Sequence, residues 1–193
     1  AVLAPRRARA TWTALAVVTL ALFGAYAVAG AGLSVGEDVV YETQTQYQQL
    51  QVADDGDVRT LYLDGVPHSA MDRLNPDRYV FEYTRYFHLP MLAADDVDRV
   101  LFVGGGGFSG PKRCASEYNA TIDVVELDPA VIHNAKRYFD VTEDEQLRIH
   151  NMDGREYLES TDETYDVVIL DAYRADRAPI HLTTVEFMQL VSE

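Results

Sequence analysis

The sequence has one cysteine, two lysines and, from Ala10 to Gly36, no charged residue at all. A single thiol, Cys114, excludes an internal disulfide and gives no support to a metal cluster. The five histidines show no ligand spacing either, so no metal is expected. Lysine scarcity goes with an excess of acid. All 31 acidic residues follow Gly36 with 13 of the 16 basic ones, which leaves that part of the chain at −18. Such a field repels phosphate, and nucleic acid is excluded as a partner. The acids are scattered rather than gathered, a pattern that suits solvation in concentrated salt better than a dedicated polycation site. No internal repeat or low-complexity linker is present.

The uncharged run "ATWTALAVVTLALFGAYAVAGAGLSVG" is long enough for one membrane crossing, which takes roughly 20 apolar residues. Arg6, Arg7 and Arg9 precede it, and Trp12 and Tyr26 suit the interfaces. A secretory signal with cleavage near Ala27-Val28-Ala29 is the competing reading, but its core would span only about 7–15 residues. The expectation is an N-terminal transmembrane helix within residues 1–36, and a membrane location. The arginines place the following domain outside, at odds with the intracellular ligand argued below, so its side stays open. The chain starts on Ala and stops inside a helical pattern, "TTVEFMQLVSE", so it is expected to be part of a longer protein.

Residues 37–74 read as a small antiparallel β-domain. Tyr47 to Val52 and Val58 to Leu63 carry strand formers, "DDGD" between them is hairpin chemistry, and Asp64-Gly65 makes a second tight turn before a strand near Val66. Residues 75–193 form the second unit. A helix is expected from Asn75 as N-cap, with Pro76 in the first turn and Pro90 as the stop. Beyond it, apolar strands (Val100 to Val103, Ile122 to Leu127, Tyr165 to Leu170) alternate with helical segments (Lys112 to Tyr118, Pro129 to Phe139, Arg155 to Ser160). Strands apolar on both faces and alternating with helices indicate an α/β fold whose parallel sheet is covered on both sides.

In such sheets ligands bind at the carboxyl ends of the strands. Gly104, Gly105, Gly106 and Gly107 occupy the first strand-to-helix turn, where lack of a Cβ lets the backbone bend and approach a ligand. Glu126 ends the second strand, 20 residues beyond Gly106, where a carboxylate can accept both ribose hydroxyls. NAD and S-adenosylmethionine-type ligands both fit this outline. The second fits better, because Ser109 stands where a pyrophosphate cradle wants its last glycine. Asp153-Gly154 ends the third strand; Asp153 either takes an adenine amino group or caps the helix that follows. Asp171 leaves the fourth strand at the ligand edge, placed to bind or deprotonate an amine, or else to cap its own loop.

Together, "YQQLQV", "LYLDGV", "VLFVGGGG", "VVELDPAVI", the Asp153-Gly154 pair, "YDVVILDAY" and "LTTVEF" resemble the spermidine synthase family of aminopropyltransferases from about Tyr41 onward. The resemblance implies a Rossmann-like S-adenosylmethionine-dependent methyltransferase fold, C-terminally truncated here, behind an N-terminal β-domain. It implies transfer of an aminopropyl group from decarboxylated S-adenosylmethionine to an amine such as putrescine, releasing methylthioadenosine. By the same resemblance Gln48 touches the co-substrate, Glu126 its ribose, Asp153 and Gly154 its adenine, and Asp171 accepts the amine's proton. A small-molecule amine, the membrane through the N-terminal helix and a second copy in a homodimer are the partners this allows.

Departures fall at the amine end. Gly107 stands where the family's GGGDGG has an acid, and Val80-Phe81-Glu82 replaces Tyr-His-Glu or Tyr-Gln-Glu. His68 replaces a Gln, and "DAYRADRAP" displaces a second Asp to Asp176. Two alternatives follow. One is a methyltransferase-like enzyme using ordinary S-adenosylmethionine, with Gly107 leaving room for its carboxylate. The other is a membrane-tethered nucleoside-binding domain without catalysis.

Overall fold

Tight turns with left-handed residues fold the first unit into a meander. In the computed structural model, which describes residues 38–76, 78–94, 96–173 and 178–192, the strands are β1 (Asp38–Gln44), β2 (Gln49–Asp55), β3 (Val58–Leu63) and β4 (Val66–Asp72). They pair antiparallel in the order β1-β2-β3-β4. Gly56 at φ +57° turns β2 into β3, and Asp64-Gly65 at +51° and +76° turns β3 into β4. β2 starts later than the sequence suggests. The Thr45 hydroxyl accepts the N–H groups of Tyr47 and Gln48, both at 3.0 Å, and coils those residues into a turn instead of a strand.

The helix expected from Asn75 to Pro90 is corrected. Asp72 Oδ1 accepts the N–H groups of Leu74 and Asn75 at 2.9 and 3.0 Å, its Oδ2 pairs with Arg78 at 2.6 Å, and Tyr79 bridges back to Met71. Arg78 donates its N–H to Asn75 O at 2.9 Å and closes a turn at Pro76 where the helix was expected. Helical structure starts with a 3₁₀ turn, Glu82–Phe87, and continues as α1 (His88–Ala93). Pro90 lies within the first turn of α1, where a missing N–H leaves no bond unmade.

The second unit holds β5 (Arg99–Val103), α2 (Ser109–Glu117), β6 (Thr121–Val125), α3 (Pro129–Tyr138), β7 (Leu147–His150), α4 (Gly154–Ser160), β8 (Val167–Leu170) and α5 (Val185–Ser192). Its strands are parallel, in the order β7-β6-β5-β8. The chain moves to one side of β5 for β6 and β7 and to the other for β8. That reversal opens a crevice beyond the end of β5.

Period-two alternation gives the sheet two cores. Val100, Phe102, Ile122, Val124, Val167 and Ile169 share one with Cys114 of α2, Val131 and Ala135 of α3, and Leu50, Val52 and Leu61 of the first sheet. Leu101, Val103, Val125 and Val168 face the other, under Tyr157 of α4 and Phe187 of α5. Phe102, Leu101 and Ile122 are fully buried, a state that stabilises by about 2–3 kcal/mol per side chain. Asp123, 1 % exposed on β6, is paired with Arg99 at 3.2 Å and lies 2.7 Å from His150 Nε2, so its buried oxygens are not left without partners. The uncharged run expected to cross a membrane lies outside the described residues. Among the described residues no helix is long and apolar enough to do so.

Candidate active site

Three of the four parallel strands, β6, β7 and β8, deliver an acid to one edge, and β5 delivers the glycine turn. Gly104 donates its N–H to Val125 O at 2.8 Å and Asp171 donates its N–H to Val103 O at 2.8 Å, so the ends of β5, β6 and β8 are stitched together. Gly104, at φ +100°, lies against the backbone of the Asp171 loop. A Cβ there would stand 2.6 Å from Asp171 O and 2.8 Å from Ala172 N. Only glycine permits this approach, and it brings the Asp171 loop over the glycine turn.

Glu126 is half-buried just beyond β6, and the backbone fixes both of its oxygens. Oε2 accepts the Gly105 N–H at 2.9 Å and Oε1 accepts the Asp128 N–H at 2.9 Å. Each oxygen keeps a further lone pair, so the carboxylate is a preset double acceptor for vicinal hydroxyls. Burial raises the Glu126 pKa, against the lowering effect of the N–H groups of Asp128, Gly105 and Gly106. Asp171 is pushed up to about 7, first by burial and then by the charge of Glu126. The two carboxyl groups therefore sense each other in one crevice, and Asp171 is poised to gain or lose a proton near neutrality.

Asp153 is the N-cap of α4. Its Oδ1 accepts the N–H groups of Arg155 and Glu156 at 2.8 and 3.2 Å, and its Oδ2 pairs with His181 at 2.9 Å. Its pKa is lowered: burial acts upward, and the Glu156 N–H, His181 and the Arg155 N–H together outweigh it. Gly154 sits on the end of β5, where a Cβ would meet Val103 Cγ1 at 2.4 Å. Gln48 approaches from the first sheet. Its amide lies 3.5 Å from Asp128 Oδ2, which also takes the Thr45 hydroxyl at 2.7 Å.

The glycine turn itself is unusual. Phe108, fully buried, has φ +60°, and its ring fills the space a Gly105 side chain would need, 2.5 Å from the would-be Cβ. A side chain at Gly107 would run into Ser69 Cβ at 2.6 Å and Oγ at 3.0 Å. The space expected to accept a carboxylate thus belongs to a hydroxyl from β4. Gly106 is also left-handed at φ +51°, and a Cβ there would stand 3.5 Å from the same hydroxyl.

Two tyrosines near Asp171 were not singled out by the sequence. Tyr83 donates its hydroxyl to His68 O at 3.0 Å, and burial followed by the charges of Asp171 and Tyr173 raises its pKa. Tyr173 is pushed up to about 12 by burial and by Asp171. The only sequence signal was an aromatic-rich stretch, "YVFEYTRYF", in which Tyr83 looks like any core residue. Asp176 lies outside the described residues.

Comparison with known proteins agrees with this geometry. The spermine/spermidine synthase domain matches residues 81–193. The polyamine aminopropyltransferase of Vibrio vulnificus (strain CMCP6) is 31% identical over 165 residues, covering 80% of this chain and 55% of that protein. The one from Thermococcus onnurineus (strain NA1) is 34% identical over 151 residues, covering 74% and 51%. Among solved structures, a spermidine synthase in complex with the transition state analogue AdoDATO superposes with a TM-score of 0.67 at 25% identity, covering 79% of this chain and 53% of that one. A probable spermidine synthase from Corynebacterium glutamicum gives 0.68 at 26%, covering 78% and 58%. The chain spans about half the length of the curated relatives it matches. With the domain matched over more than half its residues and the sheet ends arranged as described, this chain belongs to the spermine/spermidine synthase family.

Proposed function

We propose that the chain carries the nucleoside-binding and proton-accepting half of an aminopropyltransferase, which moves an aminopropyl group from decarboxylated S-adenosylmethionine to an amine and releases methylthioadenosine. The observation that carries this reading is the convergence of Glu126 and Asp171 on one crevice, with Asp171 held near neutrality. The sulfonium donor supplies an electrophilic carbon. A neutral amine attacks that carbon, the carbon–sulfur bond breaks, and the amine's extra proton passes to Asp171. Glu126 orients the donor by its ribose diol, Gln48 stands at the side of the same crevice, and Asp153 with Gly154 borders the adenine end. Two carboxylates beside a cationic donor attract it, and the proton acceptor is held by the backbone that also shapes the glycine turn.

The second reading, methyl transfer from ordinary S-adenosylmethionine, needs room at Gly107 for the donor's carboxylate, and Ser69 fills that room. Incubating the full chain with each donor and a panel of amines separates the two. Methylthioadenosine as product establishes aminopropyl transfer, S-adenosylhomocysteine establishes methyl transfer, and neither product leaves nucleoside binding without catalysis. Membrane attachment and pairing of two copies belong to the same proposal. The supports are the uncharged run from Ala10 to Gly36 behind three arginines and the outer edge of β1, which pairs with no further strand among the described residues.

A further inference from the structure

We infer that Thr45 is a positioning residue for Gln48: its hydroxyl fills the near side of Asp128 Oδ2 and so keeps the Gln48 amide available to the nucleoside. The inference rests on the reading of Gln48 given above. Thr45 closes the turn between β1 and β2, where its N–H donates to Gln48 O at 2.9 Å. Its hydroxyl accepts the N–H groups of Tyr47 and Gln48, both at 3.0 Å. With its lone pairs taken, the hydroxyl has one proton left to give. Asp128 Oδ2 lies at 2.7 Å and the Gln48 carbonyl at 3.1 Å; the proton goes to the carboxylate, the nearer and stronger acceptor. A turn of the first sheet is thereby pinned to the residue that heads α3, 83 positions along the chain.

Asp128 is the junction on which these contacts meet. It is 2 % exposed; its Oδ1 accepts the Ala130 N–H at 2.9 Å, and its own N–H holds Glu126 Oε1 at 2.9 Å. Gln48 reaches Oδ2 with Nε2 at 3.5 Å, the outer limit of a hydrogen bond. The shorter bond belongs to Thr45, so the Gln48 amide is tethered loosely and can turn to a ligand. A buried acceptor that loses its donor recruits another, because leaving it unmet costs more than a typical hydrogen bond returns. Once the Thr45 hydroxyl is removed, the donor at hand is Gln48 Nε2. The amide then closes on Asp128, and its contact with the nucleoside is lost. Thr45 therefore acts at one remove, through Asp128 and Gln48, while Glu126 keeps its backbone partners throughout.

The test measures methylthioadenosine affinity of the full chain by calorimetry. Thr45→Val keeps the shape and removes the hydroxyl, and affinity should fall about tenfold, the worth of one hydrogen bond. Thr45→Ser, which restores the hydroxyl, should stay within about twofold of the wild type. In a Gln48→Ala background Thr45→Val should add less than about twofold, because the contact it acts through is already gone. Thr45→Cys, whose thiol is a weak donor, carries the test if Thr45→Val does not fold, with a loss of about threefold. The nitrogen-15 side-chain amide signals of Gln48, recorded without ligand, should move in Thr45→Val and return in Thr45→Ser. A wild type without affinity overturns the nucleoside reading, and those signals then decide the positioning role alone: moved they uphold it, unmoved they overturn it. A wild type that binds, with Thr45→Val within about twofold of it or with additive losses in the double variant, overturns the inference and leaves the nucleoside reading intact.

Discussion

Replacing Asp171 with Asn should abolish turnover and, at the same time, stabilise the protein at alkaline pH. The carboxyl has an ordinary pKa of 3.8 and is held at about 7 in the fold. Between those values the native state keeps a proton that the unfolded chain has released, so stability falls as pH rises through that window. At about 1.4 kcal/mol per pH unit the full penalty above pH 7 is about 4 kcal/mol. Asp171 is half-buried rather than sealed, so solvent lowers the figure toward about 2 kcal/mol. Asn keeps the shape without the charge. Urea unfolding of the two proteins from pH 4 to 8.5 should show equal stability near pH 4 and a variant about 2–4 kcal/mol more stable above pH 7.5. On the proposed reading, in which Asp171 faces the reacting end, affinity for methylthioadenosine should survive. A variant no more stable at pH 8, or a gap that does not widen between pH 4 and 7, would refute the placement of Asp171 as a desolvated base.

Glu126→Gln should weaken methylthioadenosine roughly 10- to 100-fold by calorimetry, since a hydrogen bond to a charged acceptor is worth about 1.5–3 kcal/mol. It should also shift the Asp171 titration downward, because the Glu126 charge helps hold that pKa up; an unchanged titration would show that the two groups are not coupled. Gly104→Ala should cost about 2–5 kcal/mol and eliminate nucleoside binding, because a Cβ would stand 2.6 Å from backbone that cannot rotate away. Gly56→Ala, also at positive φ but with nothing within 4 Å, should cost only about 1–2 kcal/mol, and comparable losses in the two variants would contradict the close-approach argument. Phe108→Gly relieves about 1–2 kcal/mol of left-handed strain but empties a site filled by a fully buried ring worth about 3–5 kcal/mol. The net expectation is a loss of about 2–3 kcal/mol in denaturant midpoint experiments, and a gain would mean that the ring is not packed as described.

The parallel sheet and its acids were legible because buried parallel strands demand unbroken apolar runs, and because glycine turns and strand-end carboxylates keep a fixed spacing. β6 ends at Val125 rather than Leu127 and α2 starts at Ser109 rather than Lys112, differences of the kind local pattern does not resolve. The segment after Asn75 misled for a physical reason. Its capping residue and prolines suit a helix, but Asp72 and Arg78, a few residues to either side, bind each other and close the chain into a turn instead. Both readings of Asp153 drew on the same position at the head of α4. The structure shows the cap, and it also supplies a partner 28 residues away, His181, that no local pattern indicates.

By itself, the sequence determined which strands would be buried on both faces, where the chain would turn on glycine, and which acids would end the strands. Those are consequences of side-chain chemistry along the chain. Only the tertiary structure decided what fills the space at Gly107, what forces Phe108 into a left-handed conformation, and which groups surround Asp171. Ser69 and Tyr83 reach that region from segments about 90–100 residues before Asp171, and packing between distant segments, unlike local periodicity, leaves no signature in the order of residues.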